Sequence, residues 1–251
     1  MTSEDEARRQ RLLRGLREAV GALDGAASPD EVAGARAEVA ERFDRLLALL
    51  YGDGRLPGHA EVRAALAACG MGAARLAPLA WARARFVHQF WTREFVDALA
   101  AFLAGLAAEP LVEVGAGRGE LSRWLRARGV PLVATDDGSW LDGRLDWPRG
   151  LPADVVPLGY EAALARYRPA VVVCAWMPLG EDWTPTFRAC PSVRHYLLIG
   201  EGPGGCTGTP ASFAAPPPWR GESLHALSRH GPTRNADRAY RTSVYWFTRA
   251  A

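Results

Sequence analysis

Val112-Glu113-Val114-Gly115-Ala116-Gly117-Arg118-Gly119-Glu120 is the stretch that decides how the remaining sequence reads. The apolar run LVEVG over 111–115 predicts a short strand. It stops at Gly115, and Leu121, Leu125 and Val130 then predict a helix beginning near Glu120 with these residues turned inward. Glycines at 115 and 117 let the chain turn tightly and let a ligand approach the backbone. A glycine pair after a strand also occurs in dinucleotide sites, but that pattern requires a small residue where Glu120 stands. Glu120 puts an anion at the helix N-terminus, where a diphosphate would compete for the same amides. The loop therefore reads as a seat for a ligand without a diphosphate.

Towards the C-terminus, apolar runs alternate with helical segments: PLVAT (131–135), DVVPL (154–158), AVVVCAW (170–176) and HYLLIG (195–200). This rhythm predicts a parallel sheet with crossover helices, an α/β fold. Ser223–Leu227 and Ser243–Thr248 are expected as an antiparallel closing pair joined by an arginine-rich connection, with Pro216-Pro217-Pro218 before Trp219 as a loop. Asp136 follows the second strand, 21 residues after Gly115. A carboxylate there can accept both hydroxyls of a ribose, and Asp137 can share or replace that role. Alternatively, Asp136-Asp137-Gly138-Ser139 is simply a turn.

Towards the N-terminus the sequence reads as helices. Leu12, Leu13, Leu16, Val20 and Leu23 form one stripe. Ser28-Pro29-Asp30-Glu31 offers an N-cap serine, a proline at the first helical position and a capping-box acid. The helix they open carries Val39, Phe43, Leu46, Leu47 and Leu50, and Gly52-Asp53-Gly54 stops it. A shorter helix is expected from about His59 to Cys69. A fourth starts near Trp81 and carries Phe86, Phe90, Trp91, Phe95 and Leu99 toward Leu106. The expected division is a helical region over 1–80 and an α/β domain over 81–251.

VEVGAGRGE with Asp136 downstream resembles motif I and its acidic successor in class I S-adenosylmethionine-dependent methyltransferases. The resemblance covers residues from about 80 to 251. It implies a Rossmann-like methyltransferase sheet, parallel with an antiparallel closing pair, and S-adenosyl-L-methionine as cofactor. The N-terminal helices would cap the acceptor pocket or build a homodimer contact. It also implies that Glu113 lies near the methionine amino group, directly or through water, and that Gly115, Ala116 and Gly117 line the cofactor. Cys174-Ala175-Trp176-Met177-Pro178, and Ile199-Gly200-Glu201 running into Gly204-Gly205-Cys206-Thr207-Gly208, are similar to a widespread methyltransferase-like family. That likeness bears on fold and cofactor and names no reaction.

In an open α/β sheet, ligands collect at the carboxyl ends of the strands, which gathers Trp176, Met177, Glu201 and the loop 202–208. The run Ala175-Trp176-Met177-Pro178 offers no side-chain acceptor at 175 for an exocyclic amine, which argues against nucleobase N-methylation. Trp176 either walls the adenine or the acceptor, or is an ordinary packed tryptophan. Glu201 is a candidate general base or amine acceptor; equally, it is a structural carboxylate for the glycine-rich loop. His88, on the expected helix before motif I, points away from the Phe86/Phe90 stripe and is a third catalytic candidate. His195, His225 and His230 carry no such signal. Tyr160 and Glu161 follow the third strand and are adenine candidates. Methyl transfer asks chiefly for alignment of the acceptor with an already activated sulfonium. The site also suits two other uses, cyclisation of the aminocarboxypropyl arm and non-catalytic sensing.

Composition removes other chemistries. All 30 basic residues are arginine, so lysine imines, P-loop lysines and Ser–Lys acylation are excluded. A net charge of +2 gives no polyanion-binding surface, and nucleic acid is not an expected partner; a small molecule or peptide is. Cys69, Cys174, Cys190 and Cys206 show no metal-ligand spacing, so no metal is expected. The start MTSEDEARRQ and the absence of a long apolar run lead to the expectation of a cytoplasmic protein without a membrane partner. Arg85, Arg118 and Arg220 are the first cations to consider for an acidic acceptor.

Overall fold

Fully buried valines hold the centre of a seven-stranded sheet. The computed structural model describes residues 3–70, 74, 76–84, 87–141, 150–233 and 242–250. The strands are β1 (Leu111–Val114), β2 (Leu132–Asp136), β3 (Val155–Pro157), β4 (Val171–Ala175), β5 (His195–Gly200), β6 (Trp219–Ser223) and β7 (Ser243–Arg249). Their order is β3-β2-β1-β4-β5-β7-β6. The first five pair in parallel, and β7 runs antiparallel to both β5 and β6. Val112, Val114, Val171, Val172 and Val173 are wholly buried, as expected of parallel strands covered on both faces. Each such side chain contributes about 1.5–3 kcal/mol on burial.

Alternation along the strands sorts the helices into two layers. Val112, Val114, Val172, Cys174, Tyr196, Leu198 and Phe247 pack with Ala163 and Leu164 of α7 (Tyr160–Tyr167) and Phe187 of α8 (Thr184–Ala189). On the other face, Ser122 of α6 (Glu120–Arg126) meets Glu113, and Phe102 of α5 (Arg93–Gly105) meets Trp246 edge to face. Arg128 pairs with Asp97, tying the end of α6 to α5.

The expected strands lie where the apolar runs put them, with one correction. The first closing strand is Trp219–Ser223, and His225–Ser228 is a short helix, α9. The proline run delays the strand only as far as Pro218. Trp219 then buries its ring against Tyr196 at 5.1 Å, and that contact fixes β6 four residues earlier than expected.

Helices α1 (Ser3–Asp24), α2 (Pro29–Tyr51), α3 (His59–Ala68) and α4 (Leu76–Ala84) surround a second core. Leu13, Leu16, Leu23, Val39, Phe43, Leu46, Leu47, Leu50, Val62 and Phe90 fill it. A single helix over 81–106 does not form. Phe90 N–H donates to the Pro232 carbonyl at 2.9 Å, Gln89 bridges Thr233, and the Thr92 hydroxyl donates to the His230 carbonyl. These contacts hold 87–92 out of helical conformation. Phe90 joins the helical core, Phe95 and Leu99 belong to α5, and Phe86 lies outside the described residues.

The chain forms two compact units, Met1–Glu94 with His230–Tyr240, and Phe95–Arg229 with Arg241–Ala251. The division expected at 80/81 thus stands beside one at 94/95 in which a late segment returns to the helical unit. Among the described residues, no helix is long and apolar enough to cross a membrane.

The helical unit offers a direct test of its sequence reading. The Glu31 amide donates to Ser28 Oγ, and the Ser28 amide donates to Glu31 Oε2, a complete capping box with Pro29 at the helix start. Ser28→Ala should cost about 1 kcal/mol, read as a lower midpoint in chemical denaturation, while Ser28→Gly should cost only a few tenths.

Candidate functional site

The turn between β1 and α6 is shaped by three left-handed glycines, Gly115 (φ 64°), Gly117 (φ 55°) and Gly119 (φ 67°). Gly119 packs so closely that a Cβ there would lie 2.6 Å from the Val155 side chain, so only glycine is accommodated. Beyond Gly117 a Cβ would meet nothing within 4 Å. Ala116 N–H donates to the Thr135 carbonyl at 3.0 Å, tying the turn to the end of β2.

Asp136 stands directly against this turn. Its Oδ2 accepts from the Gly117 amide at 2.7 Å; its Oδ1 accepts from the Gly138 amide at 2.7 Å and Trp140 Nε1 at 2.9 Å. Burial pushes the Asp136 carboxyl up, and the hydrogen bonds from Gly138, Gly117 and Trp140 pull it back. Asp137 is exposed and accepts from the Ser139 amide. The turn expected at Asp136-Asp137-Gly138-Ser139 is present, and the same Asp136 carboxylate also reaches the glycine loop.

Glu113 is 2% exposed, with its carboxylate turned toward α6, where it accepts from the Ser122 hydroxyl. Burial raises its pKa to about 7, against the Ser122 hydrogen bond and the Arg126 charge, while Asp136 adds to the rise. Its nearest polar partner is therefore a residue of the chain itself.

The carboxyl ends of β4 and β5 are laced together. Trp176 N–H donates to the Ile199 carbonyl at 2.7 Å, Gly208 N–H to the Met177 carbonyl, and Gly180 N–H to the Gly208 carbonyl. Trp176 has φ 61°, a left-handed conformation that a bulky residue adopts at a cost of order 1–3 kcal/mol. Met177 is buried, and its sulfur accepts from Trp183 N–H at 3.4 Å, so it supports the loop from beneath. Glu201 is also buried; its Oε2 accepts from the Cys206 amide at 2.9 Å, and its own amide donates to Thr207 Oγ1. Those contacts are the ones expected of a carboxylate that organises the glycine-rich loop.

Tyr160 opens α7 and stacks on Trp183, with centroids 4.7 Å apart and planes 11° from parallel. Trp183 was not singled out by sequence reasoning. Its ring edge lies 2.9 Å from where a Cβ on Gly115 would be, so it covers the first glycine of the turn. Asp182-Trp183-Thr184-Pro185 carries a readable helix start, and Asp182 Oδ1 does accept from Thr184, but nothing local reports where the indole goes. Ser122 and Trp140, the partners of Glu113 and Asp136, were missed for the same reason.

The second unit thus brings Gly115, Ala116, Gly117, Asp136, Tyr160 and Trp183 together around the glycine turn. His88 is not on a helix: it lies in the segment between α4 and α5 and belongs to the first unit. The contacts of Gln89 and Phe90 that break the expected helix put it there. His195 begins β5 and stacks on Trp246. Arg118 and Arg220 are exposed, and Arg85 lies outside the described residues. Among the described residues, no cluster of His, Cys, Asp and Glu is arranged to hold a metal ion.

No family model matches the chain. No curated protein matches its sequence.

The Glu113 geometry carries a signed pH dependence. A carboxyl whose folded pKa lies above its ordinary value of 4.5 binds more protons in the native state than in the unfolded state between pH 4.5 and about 7. Its contribution is therefore favourable at low pH and is lost as pH rises through that window, by roughly 3 kcal/mol. Glu113→Gln should raise the melting temperature at pH 8 and flatten the stability profile between pH 4.5 and 7; an unchanged profile would place the ionised carboxylate in a solvated setting.

Proposed function

We propose that the protein is an S-adenosylmethionine-dependent methyltransferase acting on a small-molecule or peptide acceptor. The observation that carries this reading is the Asp136 carboxylate set against the glycine turn Gly115–Gly117, at the adjoining carboxyl ends of β1 and β2. A carboxylate in that place suits a ribose diol, and the open space beyond Gly117 leaves room for a ligand along the backbone.

Two further features favour an adenosine ligand without a diphosphate. The dinucleotide sheet runs 3-2-1-4-5-6, whereas here antiparallel β7 lies between β5 and β6. Glu120 begins α6, so the helix end that would bind a pyrophosphate already carries a negative charge.

Asp136 and the Gly115–Gly117 backbone would hold the nucleoside, and Tyr160 offers a ring for the base. When bound, S-adenosyl-L-methionine supplies an electrophilic methyl group. The task left to the chain is alignment and exclusion of water. Trp176, fixed in its unusual backbone conformation by the Ile199 carbonyl, is suited to wall the acceptor side. Glu201 holds the neighbouring loop through the Cys206 amide, a positioning role. An acidic acceptor such as a carboxylate or phenolate needs no base from the protein. Ala175 supplies no polar group to an exocyclic amine, which disfavours a nucleobase acceptor.

S-adenosylhomocysteine should raise the melting temperature of the protein and NAD should not; stabilisation by NAD alone would overturn the proposal. Asp136→Asn and Asp136→Ala should weaken S-adenosylhomocysteine binding tenfold or more in calorimetry, on variants shown to fold by their melting curves. Unchanged affinity would move the ribose contact elsewhere. With an acceptor in hand, S-adenosylhomocysteine as product marks methyl transfer, and methylthioadenosine marks attack by the aminocarboxypropyl arm.

A further inference from the structure

The surroundings of Trp183 have the form of a seat for a heteroaromatic base. Its indole lies nearly parallel to Tyr160 at 4.7 Å. Its Nε1–H donates to Glu181 Oε2 at 2.5 Å, and its edge rests on the bare backbone of Gly115. A stacking face, a carboxylate for one N–H and a backbone that admits close approach are what a fused ring bearing an amino donor needs. Trp183 packs on the edge of the sheet's core and is only partly buried, and Glu181 is exposed, so the indole borders solvent on one side.

We infer that the Trp183 indole is the chain's own occupant of a base seat, and that a purine carrying an exocyclic amine displaces it. The incoming base stacks on Tyr160 and donates its amine to Glu181 Oε2 in place of the indole N–H. This rests on the adenosine reading of the site and adds two things to it, the group that selects the base and a built-in competitor. One stack and one N–H to carboxylate bond are exchanged for another of each, so net binding must come from contacts elsewhere, chiefly at Asp136. A hypoxanthine base presents a carbonyl oxygen to Glu181 where adenine presents an amine, leaving two acceptors face to face, and is disfavoured. Occupation by the indole lowers apparent affinity by the fraction of time the seat is open.

The test is calorimetric titration of the full chain with S-adenosylhomocysteine and S-inosylhomocysteine, using wild type, Trp183→Ala and the double variant Trp183→Ala/Glu181→Ala. Trp183→Ala is expected to bind S-adenosylhomocysteine about tenfold more tightly than wild type, as for a seat open one-tenth of the time. Free indole should compete with that ligand in Trp183→Ala and not in wild type. Removing Glu181 in that background should abolish the preference for adenine over hypoxanthine. Trp183→Phe, which keeps a ring for the fold and removes the N–H, should tighten binding by a smaller factor. Equal or weaker binding by both Trp183 variants, with no competition from indole, overturns the inference and leaves the adenosine reading intact. Absence of binding by every folded chain overturns both.

Discussion

One carboxylate ties the candidate site together. Asp136 ends β2 and collects three donors: the Gly117 amide from the turn after β1, and the Gly138 amide and Trp140 indole from its own turn. A buried carboxylate without donors is costly; with three it becomes a clamp between two strand ends. The parallel register that sets Val114 beside Thr135 brings the turn within reach. The Ala116 bond to the Thr135 carbonyl then fixes the direction in which the turn leaves β1. The opening of α6 and the room beyond Gly117 follow from that geometry.

Costly local arrangements gather on this part of the molecule. Glu113 is a buried acid whose ionisation is opposed by its surroundings, and Trp176 holds a backbone conformation that its side chain resists. One lies within β1 and the other directly after β4, strands that otherwise follow ordinary rules of pattern and burial. Departures of this kind concentrate where a protein binds or reacts. The arginine surface is ordinary by comparison: pairs such as Arg42–Glu38 and Arg45–Glu41 are helix-surface contacts of small individual worth.

What was legible in the sequence follows the range of the interaction that specifies it. The capping box at Ser28 is written within four residues, and it forms as written. The strands β1, β2, β4 and β5 declare themselves through apolar runs that survive because both faces are covered. The glycine turn and Asp136 were found by spacing alone, since each belongs to a strand end whose position the run had already set. The helix expected over 81–106 failed because its interruption depends on Pro232 and Thr233, well over a hundred residues later in the chain. The start of β6 depended on a ring contact between Trp219 and Tyr196. Trp183 could not be placed over Gly115 from its neighbours, because its ring-face and ring-edge contacts come from α7 and from the turn after β1.

The return of His230–Thr233 to the helical unit has a temporal consequence. The Phe90 amide and the Thr92 hydroxyl emerge from the ribosome long before the carbonyls they will bond, with 138 residues separating Thr92 from His230. At ordinary rates of synthesis that interval is on the order of ten seconds. Throughout it, α1 to α4 can assemble around Phe43 and Leu46, while the strap across Phe90 waits for the sheet's last connection. The N-terminal helices are thus made first and completed last.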